Sequence, residues 1–183
     1  EMPREVPTAL KVAQAFAGAV AVWLIAVIAR RTAGEAAAIW AAWLAAAYPP
    51  LIWMCAYALS ETAYSVIVLG TVVCLSRVTD TPADDVPSRH VASAFSAGVL
   101  TGIATLTRAG TLFILPLACL YLALRRNRAA AIAIALGALL ALAPWSLRNI
   151  GEHRVGIASQ GALTFWTGNS PAAIGEGDLA ANP

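Results

Sequence analysis

Long apolar runs alternate with short polar breaks along most of the chain. Six apolar segments can be marked, and they cover Ala9–Ala29, Ala36–Tyr48, Ala63–Leu75, Val91–Leu106, Thr111–Leu124 and Ala129–Leu147. A helix needs about 20 residues, within a range near 17–25, to cross the hydrocarbon core of a bilayer. The second, third and fifth segments reach that length only if flanking residues extend them. The pattern predicts an all-α fold, a polytopic transmembrane bundle of about six spans.

A proline pair interrupts this pattern after the second segment. Pro49 and Pro50 are followed by a stretch that mixes Trp53 and Tyr57 with aliphatic residues and runs to Glu61. Proline is favoured in the first turn of a helix, and Trp and Tyr prefer the headgroup level of a membrane. These residues therefore predict a short helix that begins at the prolines and lies along the membrane interface.

Composition supports the membrane class and narrows the possible partners. The chain is 60% hydrophobic and 12% charged, with a mean hydropathy of +0.72, whereas soluble domains carry about 25% charged residues. The net charge of +2 is too small for a nucleic-acid-binding protein, and no nucleic acid is expected as a partner. Cys55, Cys74 and Cys119 lie singly in apolar runs without CxxC spacing, which favours small packed residues over metal ligands or disulfides.

The basic residues predict an orientation. The loops after the first, third and fifth segments hold Arg30, Arg31, Arg77, Arg89, Arg125, Arg126 and Arg128. The other side holds five basic residues, so the positive-inside rule places these three loops in the cytoplasm. Residues 1–149 are then the transmembrane region of a multi-pass integral membrane protein, and residues 150–183 begin an outer loop.

This orientation collects several polar residues on the outer face. They are Glu61, Arg108, Arg148, Asn149, His153, Gln160 and Asn169. A charged side chain at membrane depth is costly unless it is paired or faces water, so each charge here is a candidate functional group.

Glu61 and Arg108 each have two interpretations. The Glu61 carboxylate is a candidate metal ligand, general base or partner of an arginine, but a carboxylate in the first turn of a helix also interacts well with the helix dipole. Arg108 marks either a tight outer turn with Gly110 or a buried charge in one long helix. Its planar guanidinium suits phosphate oxygens, while the plain alternative is a snorkelling interfacial side chain.

Residues near the end of the sixth segment give weaker candidates. Pro144 is expected to bend or end that helix, and Trp145 to anchor it at the interface. Arg148 and Asn149 then lie at the outer surface, where Arg148 is either a phosphate ligand or an interfacial anchor. The tail contains glycines, an aromatic pair and Asn169, and predicts an ordered outer loop that contacts substrate.

The order of these features resembles the GT-C class of membrane glycosyltransferases, close to family 39 with its protein O-mannosyltransferases and lipid A aminoarabinose transferase. The resemblance is carried by YPPLIWMCAYALSET, GVLTGIATLTRAGTLFILP, PWSLRN and SQGALTFWTGNSP, which start at Tyr48, Gly98, Pro144 and Ser159. It implies a GT-C-like bundle in a bacterial inner or plasma membrane. It also implies a polyprenyl-phosphate sugar as donor and a lipid, glycan or protein as acceptor, with the site at the outer face.

The resemblance also assigns residues. Glu61 matches the SE position of the family, Arg108 its TR position and Arg148 its RN position, so the two arginines are expected to bind the donor phosphate. The catalytic aspartate of the family lies in its first outer loop, and neither Glu1 nor Glu5 lies in such a motif. No catalytic residue is therefore expected within this chain, which is expected to be an inactive internal fragment. A divalent metal is left open, as is the rival interpretation of a transporter or channel subunit.

Overall fold

The computed structural model describes residues 7–56, 60–79 and 88–152, together with residues 165, 166 and 169. The secondary structure of this part of the chain is entirely helical, which confirms the predicted fold class. Seven α-helices follow in order: α1 Thr8–Ala33, α2 Glu35–Ala46, α3 Pro49–Ala56, α4 Ser60–Thr79, α5 Ser88–Thr107, α6 Ile114–Leu124 and α7 Arg128–Gly151. A 3₁₀ helix, Ala109–Phe113, lies between α5 and α6.

Fewer helices than predicted are long enough to cross a membrane. Among the described residues, α1, α4, α5 and α7 qualify by length and composition, and α2 with α3 qualifies only as one pair bent by 52°. Four to five described helices are thus able to cross a membrane, against the about six spans predicted, because α2 has 12 residues and α3 has 8. At 1.5 Å per residue, α2 is about 18 Å long against a hydrocarbon core of about 30 Å. The segment Ala109–Leu124 is apolar but also short.

Several predicted boundaries move. The short helix begins at the proline pair as predicted, but its described part ends at Ala56. The third apolar segment extends in both directions into α4, so that Glu61 lies in the first helical turn. Pro144 lies inside α7 and does not end it, and α7 therefore includes Arg148 and Asn149.

The ends of three helices and the starts of the next three meet at one end of the bundle. The Arg31 side chain at the end of α1 donates a hydrogen bond to the Ser76 hydroxyl near the end of α4, at 2.9 Å. One core cluster joins the end of α4, the start of α5, the end of α6 and the start of α7 through Val78, Ala94, Leu122 and Ala130. We call this the basic end, because it carries Arg30, Arg31, Arg77, Arg125, Arg126 and Arg128. The described arginines of the three basic loops thus lie at one end of the bundle, and the cytoplasmic side of this end stays a prediction.

Helices α5 and α7 approach each other closely. A methyl group placed on Gly98 would lie 2.1 Å from the carbonyl oxygen of Ile134, and one on Gly137 would lie 2.2 Å from the carbonyl oxygen of Phe95. Gly98 and Gly102 are spaced as GxxxG, the pattern that lets two membrane helices bring their backbones together. We call this contact the glycine seam, and it fixes how far apart α5 and α7 lie.

Large apolar side chains cover the outside of the bundle. On α2, Trp40, Trp43 and Leu44 are 68–70% exposed, and they line an open apolar groove with Ile39 and Ala47. Apolar area of this kind is unfavourable in water and favourable against lipid tails. The chain is an integral membrane protein with several passes. It divides into two compact units, Glu1–Ala141 and Leu142–Pro183, which are described separately below.

Candidate functional site

Arg108 lies where one helix ends and another begins. Its backbone N–H donates to the carbonyl oxygen of Ala104 at 2.8 Å, which closes the last turn of α5. Its own backbone is extended, with φ −143° and ψ 109°. The N–H of Thr111 then donates to the carbonyl oxygen of Arg108 at 3.0 Å and starts the 3₁₀ helix. The turn predicted at Arg108 is confirmed, and the alternative of one unbroken helix is wrong.

The Arg108 guanidinium forms a hydrogen-bonded ion pair with the carboxylate of Glu61. Glu61 lies in the first turn of α4, and 47 residues separate it from Arg108 in the sequence. The two meet because the start of α4 lies beside the end of α5. The Glu61 side chain is 29% exposed and that of Arg108 is 48% exposed. At this exposure an ion pair contributes modestly to stability, so its main structural effect is to fix the direction of the guanidinium.

Tyr64 and Thr111 complete the cluster. The Tyr64 ring lies under the Arg108 guanidinium, with 5.4 Å from the guanidinium carbon to the ring centre. The Tyr64 hydroxyl and the Thr111 hydroxyl are 2.9 Å apart. Tyr64 is one turn beyond Glu61, so these two residues lie on one face of α4, and Thr111 lies in the 3₁₀ helix that begins directly after Arg108. We call Glu61, Tyr64, Arg108 and Thr111 the Arg108 cluster.

A further hydrogen bond holds the start of α4. The Thr62 hydroxyl donates to the carbonyl oxygen of Met54 on α3, at 3.1 Å, and the Thr62 side chain is buried. This contact ties the start of α4, and Glu61 with it, to the short helix that precedes it.

The arrangement suits the binding of an anionic oxygen. A guanidinium has five N–H donors, and a single carboxylate with an aromatic ring does not occupy all of them. The half-exposed Arg108 therefore keeps donors for a ligand at the surface of the bundle, while Glu61 and Tyr64 hold its orientation. Sequence reasoning identified Glu61 and Arg108 but missed Tyr64 and Thr111, although their spacing from the charged residues was a usable signal.

Arg148 and Asn149 belong to the second unit. The Arg148 guanidinium lies over the Trp145 ring at 5.4 Å and pairs with the carboxylate of Glu152 at 3.4 Å, one turn further along α7. The Arg148 side chain is 61% exposed. Asn149 is buried and helical, where the sequence predicted an outer surface position.

The remaining tail candidates are described only in part. The Asn169 side-chain amide donates to the carbonyl oxygen of Phe165 at 2.8 Å, and Asn169 is exposed. His153 and Gln160 lie outside the described residues. No group of three or more His, Cys, Asp or Glu side chains that would hold a metal ion occurs among the described residues. The cysteines at 55, 74 and 119 are free thiols.

The comparison with protein families decides the class. The family model of glycosyltransferase family 87 matches residues 2–181. The chain belongs to glycosyltransferase family 87. The curated proteins and the solved structures contain no match to it.

This membership confirms the predicted membrane glycosyltransferase and does not favour a transporter or channel subunit. Family 87 is a GT-C-like membrane family, so the class of the resemblance is confirmed, while its closer relation to family 39 is not. Donor and acceptor substrates and a lipid bilayer follow from the family and the fold.

Proposed function

We propose that this family 87 protein takes part in transferring a sugar from a polyprenyl-phosphate donor to a lipid, glycan or protein acceptor at the outer face of a bacterial plasma membrane. The observation that carries the proposal is the Arg108 cluster, a half-exposed guanidinium that Glu61 and Tyr64 hold in place. It lies beside the start of α4, whereas the basic end lies beside its last turn. With the basic end in the cytoplasm, the cluster faces outwards.

The chemistry of the transfer needs such a cation. When the bond between the sugar and the phosphate breaks, negative charge grows on the leaving phosphate, and a donor group already held in place stabilises that charge without reorganisation. Arginine is suited to this role because its planar fork matches two phosphate oxygens. Glu61 keeps the fork aligned before the donor arrives, and the ring of Tyr64 supports it from one face.

Residues of the second unit have secondary roles in this proposal. For Arg148 the role predicted from the resemblance, binding of a donor phosphate, is kept, and the Trp145 ring lies under its guanidinium. Asn149 and Asn169 keep their predicted role as substrate contacts, with Asn169 in the outer region from residue 150 onwards. We assign the base that activates the acceptor hydroxyl to none of these residues. A divalent metal is not required by this assignment.

Arg108→Ala in the full-length protein tests the proposal. The loss of a preorganised donor to a developing charge typically lowers turnover by about 100-fold or more, and we expect at least that loss with normal membrane insertion. Arg77→Ala is the control, since Arg77 is an exposed arginine in the last turn of α4, at the basic end.

The two variants should differ in their binding of the donor lipid phosphate as well as in turnover. Arg108→Ala is expected to weaken binding of a polyprenyl monophosphate, whereas Arg77→Ala is expected to retain it. Near-normal turnover of Arg108→Ala, or equal losses in both variants, would exclude Arg108 as the phosphate ligand.

A further inference from the structure

The turn between α6 and α7 is built from four residues, 125–128, that complete both helix ends. The Arg126 N–H donates to the carbonyl oxygen of Ala123 at 3.0 Å, and the Asn127 N–H donates to that of Leu122 at 2.9 Å. This is the hydrogen-bond pattern of a Schellman motif, with Arg126 in the left-handed region at φ 58°. The Asn127 side-chain oxygen then accepts a hydrogen bond from the Ala130 N–H at 3.1 Å and caps α7.

Two of the three arginines in this turn occupy positions that local energetics disfavour. The left-handed position of Arg126 is the usual place for glycine, because only glycine adopts it without steric cost. Arg128 begins α7, where the helix dipole is positive and a cation is unfavourable. The left-handed backbone at Arg126 does not require an arginine, and the start of α7 does not favour one at Arg128.

These charges are exposed, and no carboxylate of the described residues neutralises them. Arg125, Arg126 and Arg128 are all exposed. Among the described residues, Arg30 pairs with Glu35, Arg108 with Glu61 and Arg148 with Glu152, whereas none of the described carboxylates pairs with the three arginines of the turn. Arg30, at the same end of the bundle, differs in this respect, since Glu35 lies 2.6 Å from it.

The surroundings place the turn at the edge of a lipid-facing surface. Leu120, Tyr121 and Leu124 on the last turns of α6 are 56%, 46% and 74% exposed. The Tyr121 ring lies under the Arg125 guanidinium. Along this surface, exposed apolar side chains are followed by a tyrosine and then by arginines. This order matches the layers of a membrane, from the acyl chains through the interface to the headgroups. The unpaired cations thus lie level with lipid phosphates.

We propose that Arg125, Arg126 and Arg128 form a docking surface for anionic phospholipid headgroups. Each guanidinium offers donors to phosphate oxygens, and a negatively charged leaflet supplies a counter-charge that the described residues do not provide here. A soluble anion is a poorer fit, because the apolar rim of α6 would stay exposed around it. The surface is independent of the Arg108 cluster and of sugar transfer.

Thermal unfolding of the full-length protein in a neutral detergent, with added phosphatidylglycerol or phosphatidylcholine, tests this proposal. Phosphatidylglycerol is expected to raise the melting temperature more than phosphatidylcholine does, and high salt is expected to remove the difference. Arg126→Gly relieves the left-handed backbone while removing one charge. We expect this variant to unfold in detergent alone at the wild-type temperature or above, and to lose a large part of the shift that phosphatidylglycerol causes.

Arg30→Gln is the control, because Glu35 already neutralises Arg30 at the same end, and it should keep the full shift. The triple variant Arg125→Gln, Arg126→Gly, Arg128→Gln should lose the shift entirely. If the triple variant does not fold, the shift measured for Arg126→Gly alone tests the proposal. An equal shift with both lipids, or an undiminished shift in Arg126→Gly, would overturn the proposal.

Discussion

The hydroxyl of Tyr64 lies 2.9 Å from the hydroxyl of Thr111, and 47 residues separate them in the sequence. This hydrogen bond joins α4 to the 3₁₀ helix directly beyond Arg108. Because the ring of the same tyrosine lies under the Arg108 guanidinium, Tyr64 links the position of the 3₁₀ helix to the position of the arginine. Tyr64 thus connects the residues of the Arg108 cluster on α4 to Arg108 and Thr111.

Tyr64→Phe is expected to raise the donor KM about fivefold while changing kcat less. The substitution keeps the ring under Arg108 but removes the hydrogen bond to Thr111, which is worth about 1 kcal/mol. Tyr64→Leu removes both contacts and should raise KM further. Steady-state kinetics in isolated membranes, at varied donor concentration, measures both parameters.

Thr111→Val provides the control for this interpretation. It removes the other half of the same hydrogen bond and should reproduce the effect of Tyr64→Phe. Since the two residues act through one contact, the double variant should be no worse than either single variant. Fully additive losses would show that the hydroxyls act separately.

Exchanging the charges of the Glu61–Arg108 pair separates a structural role from a functional one. In the double variant Glu61→Arg, Arg108→Glu the ion pair can re-form in reverse, so the melting temperature should recover most of what either single variant loses. Transfer should stay reduced about 100-fold or more, because the cation has moved to α4 and a carboxylate occupies its former position. Thermal unfolding and transfer assays on the same membranes measure the two effects, and recovery of turnover would assign the pair a purely structural role.

Gly98→Ala is expected to destabilise the bundle. The added methyl group would lie 2.1 Å from the Ile134 carbonyl oxygen, a backbone atom that moves only with its helix. Overpacking of this kind costs roughly 1–3 kcal/mol, which thermal or denaturant unfolding detects. Gly110→Ala is the control, since nothing lies within 4 Å of the position of its methyl group. Equal melting temperatures for both variants would contradict the close approach of α5 and α7.

Asn127→Ala is expected to lower stability by about 1 kcal/mol. The substitution removes the side-chain oxygen that accepts a hydrogen bond from the Ala130 N–H at the start of α7. Asn127→Ser keeps an acceptor of suitable length and should retain most of the stability. The comparison is best made by unfolding in neutral detergent, and a serine variant as unstable as the alanine variant would show that capping is not the cause.

The sequence pattern predicts the positions of the helices better than it predicts which helices cross the membrane. The sequence pattern predicts α1 and α7 because each apolar run forms a helix long enough to cross the bilayer core. The run before Pro49 was counted as a full span, since hydropathy does not show that α2 has only 12 residues and is followed by a 52° bend. The turn at Arg108 was predicted, as a lone charge between apolar runs makes a break favourable.

The sequence pattern does not predict which distant residues contact each other. Glu61 and Arg108 were both named as candidates, but nothing local indicates that residues 47 positions apart form an ion pair. That contact follows from the packing of α4 on α5. The glycine seam is a different case: Gly98 and Gly102 show the GxxxG spacing in the sequence itself, and the signal for close helix packing was available there.

The position of Arg108 depends on the glycine seam, although the residues of the seam lie far from it. Gly98 lies ten residues before Arg108 on α5, about 15 Å along the helix axis. A helix is stiff over that length, so a displacement at the seam is transmitted to the residue at its end. Inherited or engineered changes at Gly98 or Gly137 would thus be recorded as losses of catalysis, although neither glycine contacts a substrate and the chemical groups of the Arg108 cluster remain intact.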